Sequence, residues 1–360
     1  MAPGAAPAAV VAVAWRGAHG FEITSGAAFA PDSVVANPGC YFDLASVTKP
    51  FLAITVARLA RRNRLSLATP LCELLPEARG TQTGAQPVEL LLSHRAGLEA
   101  HRALFAPLLA EAPFDRRAAI DEALRARRSE CRRPAPSDGY PPLYSDLGYA
   151  LVGLALERLE GLPLDQIVER EISVPLGLDV GSARLLRARH LDFVERCAAT
   201  ETVPFRGGAV RGIVHDENAW ALSGHALSGH AGLFGTAESV ARFGAALLDA
   251  ARGRADTWLS RSCLTPLVRA RPGGTLRAGF DGKSETLSSA GSLAGPRSFG
   301  HLGFTGTSLW CDPDADRALV LLANRVCPTR DNTRIRAARP AVHDALFAWA
   351  GRMTAGIAGG

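Results

Sequence analysis

Apolar runs typical of β-strands lie towards both ends of this 360-residue chain, and a long stretch with helical periodicity separates them. Ala9–Trp15 and Phe21–Ser25 flank the segment Arg-Gly-Ala-His-Gly, a pattern that predicts a β-hairpin. Leu309–Cys311 and Ala318–Asn324 form a second strand pair far downstream. One antiparallel sheet would bury the apolar faces of all four strands. The sequence therefore predicts an α+β fold, with a mostly helical lobe inserted into a sheet assembled from both termini.

The segments between the strand pairs favour helices because apolar residues recur every three to four positions. In Pro50–Leu65, for example, apolar residues occupy positions 51, 52, 56 and 59, and arginines occupy others. Further helices are predicted over Val88–Leu92, Arg117–Arg128, Leu147–Leu159, Leu164–Glu171, Glu238–Ala251 and Pro340–Ala350. We expect a single domain over 1–360, with a sheet lobe at about 1–50 and 205–355 and a helical lobe at about 51–204.

The composition indicates a globular protein, and no apolar run reaches the roughly 18–20 residues that a membrane-spanning helix needs. The start of the chain is apolar but lacks a basic segment, and Pro7 and Arg16 interrupt it. It is therefore predicted to be a strand rather than a secretory signal, which favours a cytoplasmic location. The seven cysteines are scattered and contain no C-x-x-C pair, as expected for free thiols in a reducing compartment.

The net charge of +5 arises from 40 basic residues set among 35 acidic ones. A basic cluster contains Arg125, Arg127, Arg128, Arg132 and Arg133. Such a cluster could bind phosphates, but no aromatic residues interleave with it, and a solvated helix face explains it equally well. We therefore predict no nucleic-acid partner.

Lysine is nearly absent, because only Lys49 and Lys283 are lysines among the 40 basic residues. Arginine stays protonated in proteins, whereas a buried lysine can lose its proton and act as a base. Ser46 precedes Lys49 by three positions, so both side chains share one face if a helix begins at Ser46. A serine nucleophile needs a base within hydrogen-bond reach. This pair predicts a nucleophile, Ser46, with Lys49 as its activating base.

Two downstream segments carry further candidates for the same chemistry. Tyr144 lies in a proline-rich loop directly before an apolar helix, where a phenol could relay protons; packing of the loop onto the core is the alternative role. Phe299–Ser308 is a glycine-rich strand edge, where a substrate could approach the backbone and an amide could stabilise an oxyanion.

These segments together resemble the serine β-lactamase and penicillin-binding-protein superfamily, within its class C β-lactamase, D-aminopeptidase and esterase branch. The matching motifs are Ser46-Val-Thr-Lys49, Tyr144-Ser-Asp146 and His301-Leu-Gly303, and two further similar stretches are Leu91–Leu98 and Gly229–Thr236. The resemblance covers about residues 9–350. It implies the β-lactamase/transpeptidase-like fold, with an antiparallel sheet flanked by helices.

The resemblance also implies roles for individual residues. Ser46 attacks a carbonyl, and Lys49, kept partly neutral by burial and neighbouring cations, takes the serine proton. Tyr144 exchanges protons with Lys49 and the leaving group. The amides of Ser46 and Phe304 form the oxyanion hole.

The expected substrate-binding residues are Asp146, His301, Gly303 and Phe304. His301 is expected to border the substrate, and Asp146 to orient Lys49 or the acyl side chain.

Two departures from the superfamily pattern bear on the substrate. Asp146 replaces an asparagine, which adds a charge, and Leu302 replaces a hydroxyl residue that helps relatives hold a substrate carboxylate. Thr305 and Thr307 are the residues that could compensate. We expect a serine hydrolase that acts through an acyl-enzyme on a small ester, amide or cell-wall-derived peptide, with weak or no β-lactamase activity. A true class C-like β-lactamase or DD-peptidase is the alternative.

Residues 212–220 resemble a sub-branch associated with muropeptide recovery, which makes a muropeptide a candidate small-molecule substrate. His215, Asp216, His225 and His230 could instead form a metal site, but their spacing in a glycine-rich loop matches no zinc motif.

His94 is expected to satisfy backbone groups. A non-catalytic ligand-binding module is a further alternative, and it would predict a damaged nucleophile or base. We expect an enzyme without metal or organic cofactor and without a membrane partner.

Overall fold

The structure is a computed structural model that describes residues 4–29, 36–131, 135–254 and 258–358. Its strands are β1 (Ala8–Arg16), β2 (Phe21–Phe29), β3 (Phe42–Asp43), β4 (Val180–Ser182), β5 (Thr202–Val203), β6 (Gly208–Ala209), β7 (Leu233–Gly235), β8 (Asp281–Gly282), β9 (Phe299–Leu302), β10 (Ser308–Asp312) and β11 (Arg317–Ala323). Its longer helices are α1 (Thr48–Arg61), α5 (Arg116–Arg125), α6 (Asp146–Glu160), α12 (Ala237–Ala251), α13 (Arg261–Val268) and α14 (Ile335–Ala358).

The shorter α-helices connect these elements. They are α2 (Leu71–Leu74), α3 (Val88–Leu92), α4 (Ala106–Leu109), α7 (Leu164–Val168), α8 (Val174–Leu176), α9 (Ala183–Arg189), α10 (Phe193–Arg196) and α11 (Glu217–Ser223). Turns of 3₁₀-helix cover Ala45–Val47, Pro76–Ala78, Ser129–Cys131 and Pro204–Arg206, and a π-helical turn covers Glu169–Ser173.

The main sheet has six strands in the order β2-β1-β11-β10-β9-β8, and every neighbouring pair is antiparallel. β1 from the start of the chain pairs with β11 from its end, with Val10 opposite Leu322. The predicted hairpin is also present as β1 and β2. The predicted α+β class, with one antiparallel sheet built from both termini and flanked by helices, is therefore confirmed.

The two faces of this sheet are covered by different helices because side chains alternate along each strand. Val13 and Trp15 on β1 belong to the cluster that α14 covers, and Trp15 packs edge-on against Trp349 at 5.2 Å. Ala12 and Ala14 point the other way, into the main core with α12. Phe243 of α12 stacks on Phe51 of α1 at 4.0 Å. Through α12, this contact packs α1, and with it the Ser46 segment that precedes it, against the six-stranded sheet.

The departures from the prediction that most affect the architecture concern α14 and β4. α14 begins at Ile335, five residues before the predicted start, because Pro340 is tolerated within it. β4 lies inside the predicted helical lobe and pairs with β7, which also pairs with β3. Its three residues are too few to produce a strand periodicity. The division into two lobes remains a proposal.

The predicted basic cluster has local structural roles. Arg125 pairs with Asp121, and Arg127 donates to the carbonyls of Ala96 and Cys131 at 2.9 and 2.8 Å. Arg132 and Arg133 lie outside the described residues. Within the described ranges, no helix has the length and apolar character to cross a membrane.

Candidate active site

The predicted nucleophile, Ser46, lies in the 3₁₀ turn between β3 and α1, so the α-helix begins two residues after Ser46, at Thr48, rather than at Ser46 itself. Ala45 has a positive φ of 46°, a conformation that costs a non-glycine residue about 1–2 kcal/mol. The buried Asp43 carboxylate holds this turn by accepting the amides of Ala45 and His215 at 2.7 and 2.6 Å. Burial raises the pKa of Asp43, and these hydrogen bonds oppose the rise.

Lys49 lies on the first turn of α1, directly beneath Ser46, and is fully buried. Its amine donates to Ser46 Oγ at 2.8 Å, to Asp146 Oδ1 at 2.7 Å and to the His230 carbonyl at 3.2 Å. A protonated lysine has three hydrogens to donate. These three acceptors can take all three hydrogens of the protonated amine.

The charge state of Lys49 corrects the expectation that burial and neighbouring cations keep it partly neutral. Burial lowers the pKa of Lys49, but the charge of Asp146 and interactions with Tyr144 outweigh burial, so the pKa is raised. Asp146 is the first residue of α6, where the helix dipole favours a carboxylate. The substitution of aspartate for asparagine in the second motif thus places an anion on the catalytic amine.

Tyr144 lies beside the same amine, which is 4.9 Å from the centre of the phenol ring. Its ring stacks on His94 at 4.6 Å, and His94 Nδ1 accepts the amide of Ser145 at 2.9 Å. The predicted structural role of His94 is confirmed, and His94 also supports the Tyr144 ring. Burial raises the pKa of Tyr144, while the charge of Lys49 and hydrogen bonding to Lys49 and Ser46 oppose the rise.

The third motif provides a neutral imidazole. His301 is buried, its Nδ1 lies 2.8 Å from the Leu302 carbonyl, and its ring centre is 6.0 Å from that of Tyr144. Burial, with a contribution from the charge of Lys49, lowers the pKa of His301 to about 3. His301 is therefore uncharged at neutral pH and offers a substrate carboxylate no positive charge.

The two threonines that could replace the missing hydroxyl have other partners, which corrects that expectation. Thr305 donates its hydroxyl to the Asp43 carbonyl, and Thr307 donates to the Leu44 carbonyl, at 2.8 and 2.9 Å. Both side chains are buried. They therefore join the β9–β10 turn to the residues before Ser46, and their hydroxyls are not directed at a substrate.

Gly303 and Phe304 begin this turn. A Cβ on Gly303 would lie 2.6 Å from the Leu44 carbonyl, so only glycine lets the turn approach the nucleophile segment so closely. The Phe304 ring is 48% exposed and stacks on His215 at 5.7 Å.

Most of the predicted residues line one cleft of about 580 Å³. Those at its surface are Ser46, Tyr144, Asp146, Gly303 and Phe304. Lys49 lies buried below Ser46, and His301 lies beside Tyr144. Sites of this volume hold small organic molecules. The structure thus brings together segments that lie up to about 260 residues apart in sequence.

The histidines of the glycine-rich loop have carboxylate partners. His215 Nε2 lies 3.0 Å from Glu201, and His230 Nε2 lies 2.9 Å from Asp216. Burial raises the pKa of Asp216, but His230 outweighs burial and the net shift is downwards. In the described ranges, no three or more His, Cys, Asp and Glu side chains form a group that could hold a metal ion. His230 instead supports the site through its carbonyl, which accepts Lys49.

Sequence reasoning missed the arginines that line the cleft, namely Arg325, Arg330, Arg336 and Arg339. Arg330 pairs with Glu201 and Glu217. Arg325 and Arg339 donate to carbonyls of the β9–β10 turn. Five arginines within 15 residues were visible in the sequence, but nothing in their spacing showed that four of them line the cleft with Ser46.

A beta-lactamase family model matches residues 1–343, which is nearly the whole chain. The chain belongs to the beta-lactamase family. The predicted superfamily is thereby confirmed, and the two residues predicted as nucleophile and base, Ser46 and Lys49, are in contact.

One curated relative matches about half of the chain. A Salmonella agona protein named "Putative D-alanyl-D-alanine carboxypeptidase" is 30% identical over 199 residues, which cover 52% of this chain and 46% of that protein. The chain thus spans about half the length of this curated relative.

Two solved structures share the fold. The class C β-lactamase from Rhodobacter sphaeroides has a TM-score of 0.66 and 17% identity, with 95% of each chain covered. EstCE1, described as a hydrolase with promiscuous acyltransferase activity, has a TM-score of 0.67 and 21% identity and covers 96% of this chain and 94% of its own.

Proposed function

We propose that this beta-lactamase-family hydrolase forms an acyl-enzyme at Ser46 and acts on a small ester, an amide or a cell-wall-derived peptide. The observation that carries the proposal is the 2.8 Å contact between Ser46 Oγ and Lys49 Nζ at the floor of an open cleft. The name of the Salmonella relative supports a peptide substrate. An intact nucleophile and base also favour an enzyme over a non-catalytic binding module.

In the proposed reaction, Ser46 Oγ attacks the substrate carbonyl while its proton passes to Lys49 Nζ, which acts in its neutral form. The amides of Ser46 and Phe304 stabilise the oxyanion that forms on the carbonyl. Tyr144, next to Lys49, protonates the leaving group as the tetrahedral intermediate collapses to the acyl-enzyme, and it takes the proton held by Lys49 in return. Water then attacks the acyl carbonyl and gives a proton to these groups, which return it to Ser46 Oγ as the ester bond breaks.

The cleft favours a substrate whose carboxylate lies away from the scissile bond. His301 is neutral, Leu302 has no hydroxyl, and the Thr305 and Thr307 hydroxyls are bound to carbonyls. Arg336, by contrast, is exposed at the cleft wall, and no ion pair involves it among the described residues. Because Lys49 balances the charge of Asp146, Asp146 repels an anionic substrate less than the sequence suggested. We propose that Arg336 meets the substrate carboxylate.

Covalent labelling tests the proposed function. Incubation with a fluorophosphonate should add one phosphonyl group to the intact protein, and peptide mapping should place it on Ser46. A parallel incubation with a penicillin measures whether a β-lactam acylates the same residue. Absence of any fluorophosphonate adduct on folded protein would contradict the acyl-enzyme proposal.

Weak β-lactam turnover is the expected result of the altered third motif. A lost charged hydrogen bond costs about 1.5–3 kcal/mol, or roughly one to two decades in affinity. We expect readily measured kcat/KM for p-nitrophenyl acetate and for a MurNAc-peptide, and weak or no turnover of nitrocefin. The variant Leu302→Thr restores the missing hydroxyl, so it should raise nitrocefin turnover and leave p-nitrophenyl acetate nearly unchanged. Nitrocefin turnover by the wild type at the level of true β-lactamases would favour the alternative of a class C-like enzyme.

Asp146→Asn should shift the pH dependence of kcat/KM towards acid. Asp146 raises the pKa of Lys49, so the neutral amine that accepts the serine proton is scarce at pH 7 and increases with pH. Removing a contacting opposite charge typically lowers a lysine pKa by about 1–3 units. The acidic limb of the pH profile should therefore shift to lower pH, and kcat/KM at pH 7 should rise about tenfold or more. A profile of kcat/KM from pH 5 to 10 measures this shift. An acidic limb that shifts to higher pH or stays in place would refute the prediction.

A further inference from the structure

The β9–β10 turn that carries the proposed oxyanion donor is held by two arginines from the end of the chain. Arg339, on α14, donates through Nη2 to the carbonyls of Gly303 and Thr307, at 2.6 and 3.0 Å. Arg325 donates through Nε to the Phe304 carbonyl at 2.7 Å, and its guanidinium lies 4.3 Å from the centre of the Phe304 ring. Two successive peptide units of the turn, Gly303–Phe304 and Phe304–Thr305, therefore each accept a hydrogen bond from a guanidinium group, and the Gly303 carbonyl also accepts the Gly306 amide at 3.1 Å.

The first of these peptide units contains the Phe304 N–H. A peptide group is planar, so its carbonyl and its N–H point in opposite directions within one plane. Because Arg339, together with the Gly306 amide, holds the Gly303 carbonyl, it helps to fix the direction in which the Phe304 N–H points. A charged donor on the carbonyl additionally polarises the peptide group and strengthens its N–H as a donor.

Arg339 lines the cleft, but its burial and its bonds to the turn suit it better to this role than to binding a substrate. It is only 8% exposed, and Nη2 already serves two carbonyls. No carboxylate pairs with it in the described ranges, and burial lowers the pKa of Arg339 to about 10, still well above neutrality. A buried cation without a counter-ion is costly to maintain. Its partners are the backbone dipoles of the turn beside Ser46.

We propose that Arg339 is a positioning residue for the oxyanion hole, which orients and polarises the Gly303–Phe304 peptide group so that the Phe304 amide faces the reacting carbonyl. The inference rests on the proposed acyl-enzyme function and assigns Arg339 to the transition state rather than to substrate binding. It therefore predicts that losing Arg339 slows every substrate alike, whether or not the substrate carries a carboxylate.

The test compares Arg339→Ala and Arg339→Lys with the wild type on p-nitrophenyl acetate and on mono-p-nitrophenyl succinate. Removing an oxyanion donor outright typically costs about 10²–10³ in kcat, so we expect Arg339→Ala to lose about 30- to 300-fold in kcat on both esters. KM should change less than about threefold, since the interaction strengthens in the transition state. Arg339→Lys keeps the charge but not the planar fork, and should lose less. Arg352→Ala, an exposed arginine on the same helix, is the matched control.

A second readout separates positioning from general damage to the fold. Phenylboronic acid forms a tetrahedral adduct with a nucleophilic serine, and its affinity should fall by about the same factor as kcat. Methylguanidine should restore part of the kcat of Arg339→Ala. If Arg339→Ala does not fold, the same measurements on Arg339→Lys decide the matter: a fall in kcat and boronate affinity on both esters supports the proposal, and wild-type values overturn it.

A loss confined to the succinate ester and to KM would make Arg339 a carboxylate-binding residue and overturn the inference, as would unchanged kcat. These outcomes differ from failure of the proposed function, in which the wild type itself neither turns over an ester nor reacts with a fluorophosphonate.

Discussion

Replacing Ser46 by alanine is expected to lower kcat/KM by four or more orders of magnitude and to abolish covalent labelling. Removal of a nucleophilic serine typically lowers kcat by about 10⁶-fold, because the acyl-enzyme can no longer form. Lys49 would lose one of its three acceptors, but Asp146 and the His230 carbonyl remain. The variant should therefore stay folded. Ester turnover and intact mass after fluorophosphonate treatment measure the effect.

A matched control for this variant is Ser223→Ala. The Ser223 hydroxyl donates to the Ala219 carbonyl within α11, so its loss should leave turnover and labelling nearly unchanged. Labelling that persists in Ser46→Ala, or that maps to Ser145 or Ser308, would show that Ser46 is not the nucleophile. Ser145 and Ser308 bond to the Glu99 carbonyl and to His343, respectively.

The part of the site that the sequence predicts is the part set by local geometry. Ser46 and Lys49 lie one helical turn apart, so their contact follows from a single turn. The scarcity of lysine also singles out Lys49. The other lysine, Lys283, donates to the carbonyls of Ser292 and Ala294. The strand pairs at the two ends likewise predicted the sheet, because apolar periodicity is local information.

The charge state of Lys49 could not be predicted in the same way. Burial and a nearby anion act on a lysine pKa in opposite directions, and the outcome depends on distance. Asp146, 97 residues downstream, lies 2.7 Å from Lys49, and it decides the sign. The expectation of a partly neutral lysine failed because the sequence suggests that Asp146 lies near Lys49 but does not give the distance that decides between burial and the anion.

The arrangement of the β9–β10 turn was hidden for a related reason. Thr305 and Thr307 looked available for a substrate, whereas both hydroxyls bond to carbonyls about 260 residues earlier in the chain. Arg339 reaches the same turn from a different element. Hydrogen bonds between distant backbone and side-chain groups leave no periodic signal, so they emerge only once the chain is folded.

Replacing Lys49 by arginine is expected to lower kcat/KM by about 10³-fold or more, nearly as much as Lys49→Ala. Arginine keeps the positive charge that Asp146 contacts, but its guanidinium stays protonated and cannot accept the serine proton at neutral pH. General-base catalysis typically contributes about 10²–10⁴-fold. Ester kinetics with both variants, and thermal unfolding to verify the fold, measure the effect.

The two Lys49 variants separate a base from an electrostatic partner. If Lys49 served only to balance Asp146 and to stabilise negative charge, arginine would support most of the activity and alanine would not. Raising the pH should leave Lys49→Arg inactive, because its guanidinium stays protonated, whereas wild-type activity should increase as neutral Lys49 accumulates. Near-wild-type turnover by Lys49→Arg at pH 7 would assign the proton transfer to another group, and Tyr144, beside both Ser46 and Lys49, would be the residue to substitute next.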